Sequence, residues 1–178
     1  MNDTKETKNW FARHAEAEAK KDIIPSSERF GNIVGVVVIL LIGLYFVAHQ
    51  MWSTGFFTSN FDTLTMLLFY VSLMFGIVSA VVKVLFGRKN LARLVDVFEF
   101  LLATFATSWL FVVFPFEFTY FADVLPDFLR FLLQWISNDV AGVLMAIGII
   151  VAPIVAIYTA IMYMLVRREL ANPNLKKT

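Results

Sequence analysis

Asp96 and Glu99 stand three residues apart, a spacing that puts two carboxylates on one face of a helix, and Lys83 and Arg93 flank them in the chain. All four fall within or beside long apolar stretches, where an ionisable side chain is costly to bury and becomes the first candidate for function. Together they could form an inner proton or cation site. They could equally form a structural charge network, with Lys83 paired to Glu99 and Asp96 served by Arg93, Arg88 or water, because all four groups can reach an interface.

A second set combines imidazole with carboxylate oxygen: His49, Asp62, Glu117 and Asp123, with Asp127 close by. Such donors suit a divalent cation, yet their spacing matches no ligand motif, and a solvated acidic rim is the competing reading. No resident metal or cofactor is expected.

The missing residues narrow the function further. With no cysteine there is no thiolate nucleophile, disulfide or Cys-ligated metal. Haem held between helices needs axial ligands within them, and the only histidines, His14 and His49, lie outside or at the end of an apolar stretch. No zinc-protease HExxH, GxSxG elbow or phosphate loop occurs; nor does the TVGYG potassium filter, and no apolar stretch carries repeated arginines. An enzyme acting alone is not expected.

The elements that must position these residues are membrane spans. The chain is 59% hydrophobic with a mean hydropathy of +0.73, above what a soluble domain of 178 residues carries. Apolar windows at 33–48, 64–82, 97–116 and 140–166 approach or exceed the ~20 residues that cross a hydrocarbon core. With their flanks they predict spans at about 31–50, 64–86, 91–115 and 139–167. Lys5, Lys8, Arg13, Lys20, Lys21 and Arg29 precede the first; Lys83, Arg88, Lys89 and Arg93 sit at the second-to-third junction; Arg167, Arg168, Lys176 and Lys177 follow the last. Only Arg130 lies on the opposite side, so one face nets +5 and the other −4. By the positive-inside rule both termini are cytoplasmic, with the cell membrane the simplest address. Bases spread over three membrane-flanking segments do not suggest nucleic acid. The first thirty residues are too polar for a secretory signal, so the first span is expected to stay in the mature protein.

Residues 1–30 read as a cytoplasmic amphipathic helix over 5–22 and a linker, with Trp10, Phe11 and His14 as an aromatic patch for a lipid surface or a partner. Pro25 ends that helix, and Ser26 or Ser27 can cap the next. Gly87 can close the second span and Asn90 cap the third, making those two helices an antiparallel hairpin. On the far side, 116–120 is aromatic and irregular, and Pro126 opens a short interfacial or re-entrant helix over about 126–136. Ser137 or Asn138 then starts the fourth span. Residues 170–178 form a cytoplasmic tail.

Lipid gives helices no hydrophobic reason to associate, so small residues at four-residue spacing mark packing faces. The fourth span has Gly148, Ala152, Ala156 and Ala160; the first has Gly31, Gly35 and Gly43; the second has Ser72, Gly76 and Ala80. The third offers Ala103 with Thr107 and Thr104 with Ser108. Pro153 frees a carbonyl within the fourth span and can kink or hinge it. The two halves show no internal duplication. The sequence therefore predicts an all-α four-span bundle that works through helix packing, as an accessory subunit or homo-oligomer whose partners are the bilayer and itself or another membrane protein. The alternative is an oligomeric channel or carrier.

Overall fold

The computed structural model describes residues 10–172. Lys5, Lys8, Lys176 and Lys177 of the basic flanks, the start of the first helix and most of the tail lie outside the described residues. Within them the chain is helical with no strand: α1 (Trp10–Lys20), α2 (Ser26–Met51), α3 (Thr63–Phe86), α4 (Lys89–Val113) and α5 (Asn138–Leu170), plus 3-10 turns at Phe118–Tyr120 and Asp127–Leu132. Helices α2 to α5 are each long and apolar enough to cross a membrane.

Local chemistry sets most boundaries. Asp62 caps α3 by accepting the Thr65 N–H at 2.8 Å, and Ser137 caps α5 by accepting that of Val140 at 3.3 Å. Gly87 closes α3 at φ 61°, its N–H on the Lys83 carbonyl. A Cβ there would strike the Arg29 guanidinium, so glycine is needed for both backbone and space. α5 runs as one helix through Pro153.

Three boundaries differ from expectation. α2 starts after Pro25 with no side-chain cap, so neither Ser26 nor Ser27 serves. α4 starts at Lys89 rather than 91, and Asn90 does not cap it; Asp22 does so from the α1–α2 linker, accepting the Asn90 N–H at 2.8 Å. At its other end Phe114 turns left-handed at φ 40° ahead of buried Pro115, which stops α4 at Val113 instead of 115. The expected helix over 126–136 is a 3-10 stretch at Asp127–Leu132 followed by a turn. A segment that short gains too few helical bonds to offset nucleation, and Arg130 Nε bonds the Leu125 carbonyl while the Trp135 indole returns to that of Leu132.

The spans pack in chain order, α2 on α3, α3 on α4 and α4 on α5, while α2 and α5 do not pack along their lengths. Helix α5 is about 50 Å long at 1.5 Å per residue, well beyond a ~30 Å hydrocarbon core. Against its last turns α1 buries Ala15 and Ala19 on Met162 and Val166. The Trp10 and Phe11 rings remain exposed.

Loops tie the bundle at both ends. At the turn end, where α3 meets α4, Ile23 bridges Arg88, with the Ile24 N–H on the Gly87 carbonyl at 2.9 Å and the Lys89 N–H on that of Asp22 at 2.9 Å. At the loop end Phe57 bridges Phe116, with the Glu117 N–H on the Phe56 carbonyl at 2.7 Å and the Thr58 N–H on that of Pro115 at 3.0 Å.

Candidate functional site

At the turn end, α3 and α4 run side by side and bring Ser79, Lys83 and Asp96 together. Asp96 accepts hydrogen bonds from Ser79 and, at 3.5 Å, from the Lys83 ammonium. The expected Lys83 to Glu99 pair is therefore replaced by Lys83 to Asp96. Lys83 lies in the last turn of α3, and Asp96 is the carboxylate one turn nearer that end. Arg93 likewise does not serve Asp96; it turns to Glu18 of α1 in an ion pair.

Glu99 lies roughly 15 Å along α4 from Lys89. It makes no side-chain hydrogen bond among the described residues. Its carboxylate lies against Gly76, where an added Cβ would stand 3.2 Å from Glu99 Oε1 and 3.3 Å from Ile39 Cδ1. Gly76 thus lets groups from α2 and α4 meet at one point on the surface of α3.

Other stripe residues also meet neighbours. A Cβ at Gly43 would stand 2.8 Å from the Met74 methyl, one at Gly148 would stand 3.9 Å from Thr107 Cγ2, and Ala156 is 2% exposed. Ala80, Ala152 and Ala160 are half-buried. Gly31 and Gly35 have nothing within 4 Å of such a Cβ.

Three of the hydroxyls within the spans serve their own helices. Ser72 donates to the Phe69 carbonyl at 3.0 Å, Thr104 to Phe100 at 2.7 Å and Ser108 to Thr104 at 2.7 Å. Thr65 accepts the Trp109 indole at 3.1 Å, linking α3 to α4.

At the loop end the four candidate cation ligands are separated by their structural tasks. Among the described residues no three His, Asp or Glu side chains are grouped to hold a metal. His49 is 1% exposed, with Nδ1 2.6 Å from the Thr54 hydroxyl and Nε2 3.1 Å from the Phe121 carbonyl. Asp62 is the α3 cap, and hydrogen bonds from Thr65 hold its carboxyl below the usual carboxylate range. Glu117 accepts from Thr119 and Asn138, which lower its carboxyl likewise. Asp123 pairs with Arg130 at 3.6 Å.

Around His49 the two loops interleave their rings. Phe56 is 1% exposed, with His49, Phe57, Phe121, Phe118 and Phe116 centred 4.7 to 5.4 Å away. Tyr45 donates to the Phe121 carbonyl. Offset and edge-on ring pairs of this kind add about 0.5–1.5 kcal/mol each beyond area burial.

Sequence reasoning missed Asp22, Glu18 and Phe121. The aromatic density of 56–61 and 114–121 was the available signal for Phe121; Asp22 and Glu18 act on partners far along the chain and carry no local mark. Comparison with family models, curated proteins and solved structures finds no match.

Proposed function

We propose that this chain is a multi-pass membrane protein with both termini on the cytoplasmic side, and that it acts through lateral contacts of its spans, as a subunit of a larger assembly or as a homo-oligomer. The observation that carries this reading is the position of α2. It packs along α3 only, and Gly31 and Gly35 have open space beside them on a helix whose exposed surface from Ile33 to Leu44 is apolar. Backbones approach most closely at such glycines in lipid, where packing rather than hydrophobicity drives association. The uneven distribution of Lys and Arg supports the orientation.

The channel or carrier reading keeps one supporting observation, the Glu99 carboxylate lodged at Gly76 without a hydrogen-bond partner. Against it stands how few polar side chains the spans offer at mid-depth, Ser72, Thr104 and Ser108 among them, which is thin for a continuous ion route. Liposomes containing the purified chain are expected to show the same proton and cation flux as protein-free liposomes. Flux that falls in Glu99→Gln or Asp96→Asn would favour the carrier instead.

A further inference from the structure

Helix α1 is held sideways against the bundle and leaves one face exposed. Ala15 and Ala19 cover Met162 and Val166 of α5, and Glu18 pairs with Arg93 of α4. With about 100° between successive residues, the opposite arc has Trp10 at its centre, Phe11 and His14 to one side, and Arg13, Ala17 and Lys20 to the other. All but His14 are exposed, and the Trp10 ring stacks on the His14 imidazole. The charge left over on that arc is positive. Both acids of α1 are engaged, Glu16 with Lys20 at 3.4 Å and Glu18 with Arg93, whereas Arg13 and the exposed Lys21 just after the helix make no ion pair among the described residues.

The level of α1 along the bundle decides what lies beside that arc. Its contact Val166 is followed at once by Arg167 and Arg168, and its contact Arg93 stands one turn from the start of α4 at Lys89. Helix α1 therefore lies where two spans leave hydrocarbon on their basic side. The same end of the bundle exposes Ile23, Phe30, Leu85 and Phe86. A solvated helix face would carry polar groups in place of Trp10 and Phe11. Exposed rings beside unpaired cations, at the rim of the spans, instead match a headgroup layer in which the rings sit among the headgroups and the cations meet phosphate. Unpaired bases at that level favour an anionic leaflet over a zwitterionic one.

We infer that the exposed arc of α1 docks on anionic phospholipid at the basic end of the bundle, with Trp10 and Phe11 among the headgroups and Arg13 and Lys21 on lipid phosphate. The docking rests on the membrane-spanning reading.

The chain has no cysteine, so a single nitroxide label can be attached to the full chain at Ala17→Cys, on the arc, or at Ile150→Cys, exposed near the middle of α5. Collision of each label with oxygen, which prefers lipid, and with a neutral nickel chelate, which prefers water, is measured in nanodiscs of phosphatidylcholine alone or equimolar with phosphatidylglycerol. Nickel collision at the Ala17→Cys label is expected to be about fivefold lower in the anionic discs, the factor that one base gains at an anionic surface. Arg13→Gln with Lys21→Gln should abolish that difference, and Trp10→Ala should raise nickel collision in both lipids. Equal nickel collision in the two lipids, or a difference that survives the double variant, would overturn the docking. An Ile150→Cys label open to nickel in both discs overturns the membrane-spanning reading and the docking together. With that label in oxygen-rich lipid, a failure at Ala17→Cys overturns the docking alone.

Discussion

The carboxylate of Asp22 accepts the backbone N–H of Asn90 at 2.8 Å, so the first turn of α4 is capped by a residue 68 positions earlier in the chain. With the Lys89 N–H on the Asp22 carbonyl at 2.9 Å, one linker residue fixes where α1 and α2 stand relative to the α3–α4 hairpin. Asp22 is 6% exposed, so loss of its side chain leaves a buried donor without a partner.

Asp22→Ala should therefore lower stability by about 1–2 kcal/mol, the range for a lost N-cap, while Asp22→Asn retains most of it. Thermal unfolding of the detergent-solubilised chain measures both. Equal melting of the wild type and the alanine variant would remove the cap from the account.

Phe56→Ala should be the more damaging change at the other end, about 3–5 kcal/mol, because it empties the centre of the ring cluster that joins the two loops. Near-ultraviolet circular dichroism should lose much of its aromatic signal at the same time. A loss below about 1 kcal/mol would mean that the loops hold together without it.

The turn-end charges give a prediction that separates two pairings. Lys83→Met should destabilise because it leaves Asp96 with Ser79 alone, whereas Glu99→Gln should change melting by less than about 0.5 kcal/mol. If Glu99→Gln is the costly substitution and Lys83→Met is silent, the ammonium is paired with Glu99 after all.

Hydropathy made the spans legible, because length and apolar content alone decide whether a helix can cross hydrocarbon. Ser137 was legible as a helix boundary for a related reason, because a cap and its helix are adjacent in sequence, whereas Asp62 was read as a cation ligand and is the cap of α3. Asp22 was not, since its acceptor role belongs to a helix it reaches only after the chain has crossed twice. The Lys83 pairing failed for a finer reason. Carboxylates at 96 and 99 share a face, and spacing alone does not say which stands level with Lys83; in the folded chain it is Asp96. At the loop end the residue types suggested a cation site, but His49 was already committed to Thr54 and Phe121.

Acid should loosen the loop end. Asp62 and Glu117 both have folded-state carboxyl groups held below the ordinary range by hydrogen bonds, so each contributes stability above the unfolded value near pH 4 and loses it as pH falls through the folded one. Melting temperature should be flat from pH 7 to about pH 5 and fall below about pH 4, and the fall should be shallower in Asp62→Asn combined with Glu117→Gln. A double variant with the wild-type profile would assign the acid sensitivity elsewhere.

The central claim is that the spans work by contact, and the particle mass in membrane fragments extracted by polymer, without detergent exchange, tests it most directly. The protein mass is expected to exceed that of one 20.3 kDa chain, and to fall towards it when Gly31 and Gly35 are both replaced by Leu. A single-chain mass in the wild type, unchanged by those substitutions, would contradict the account.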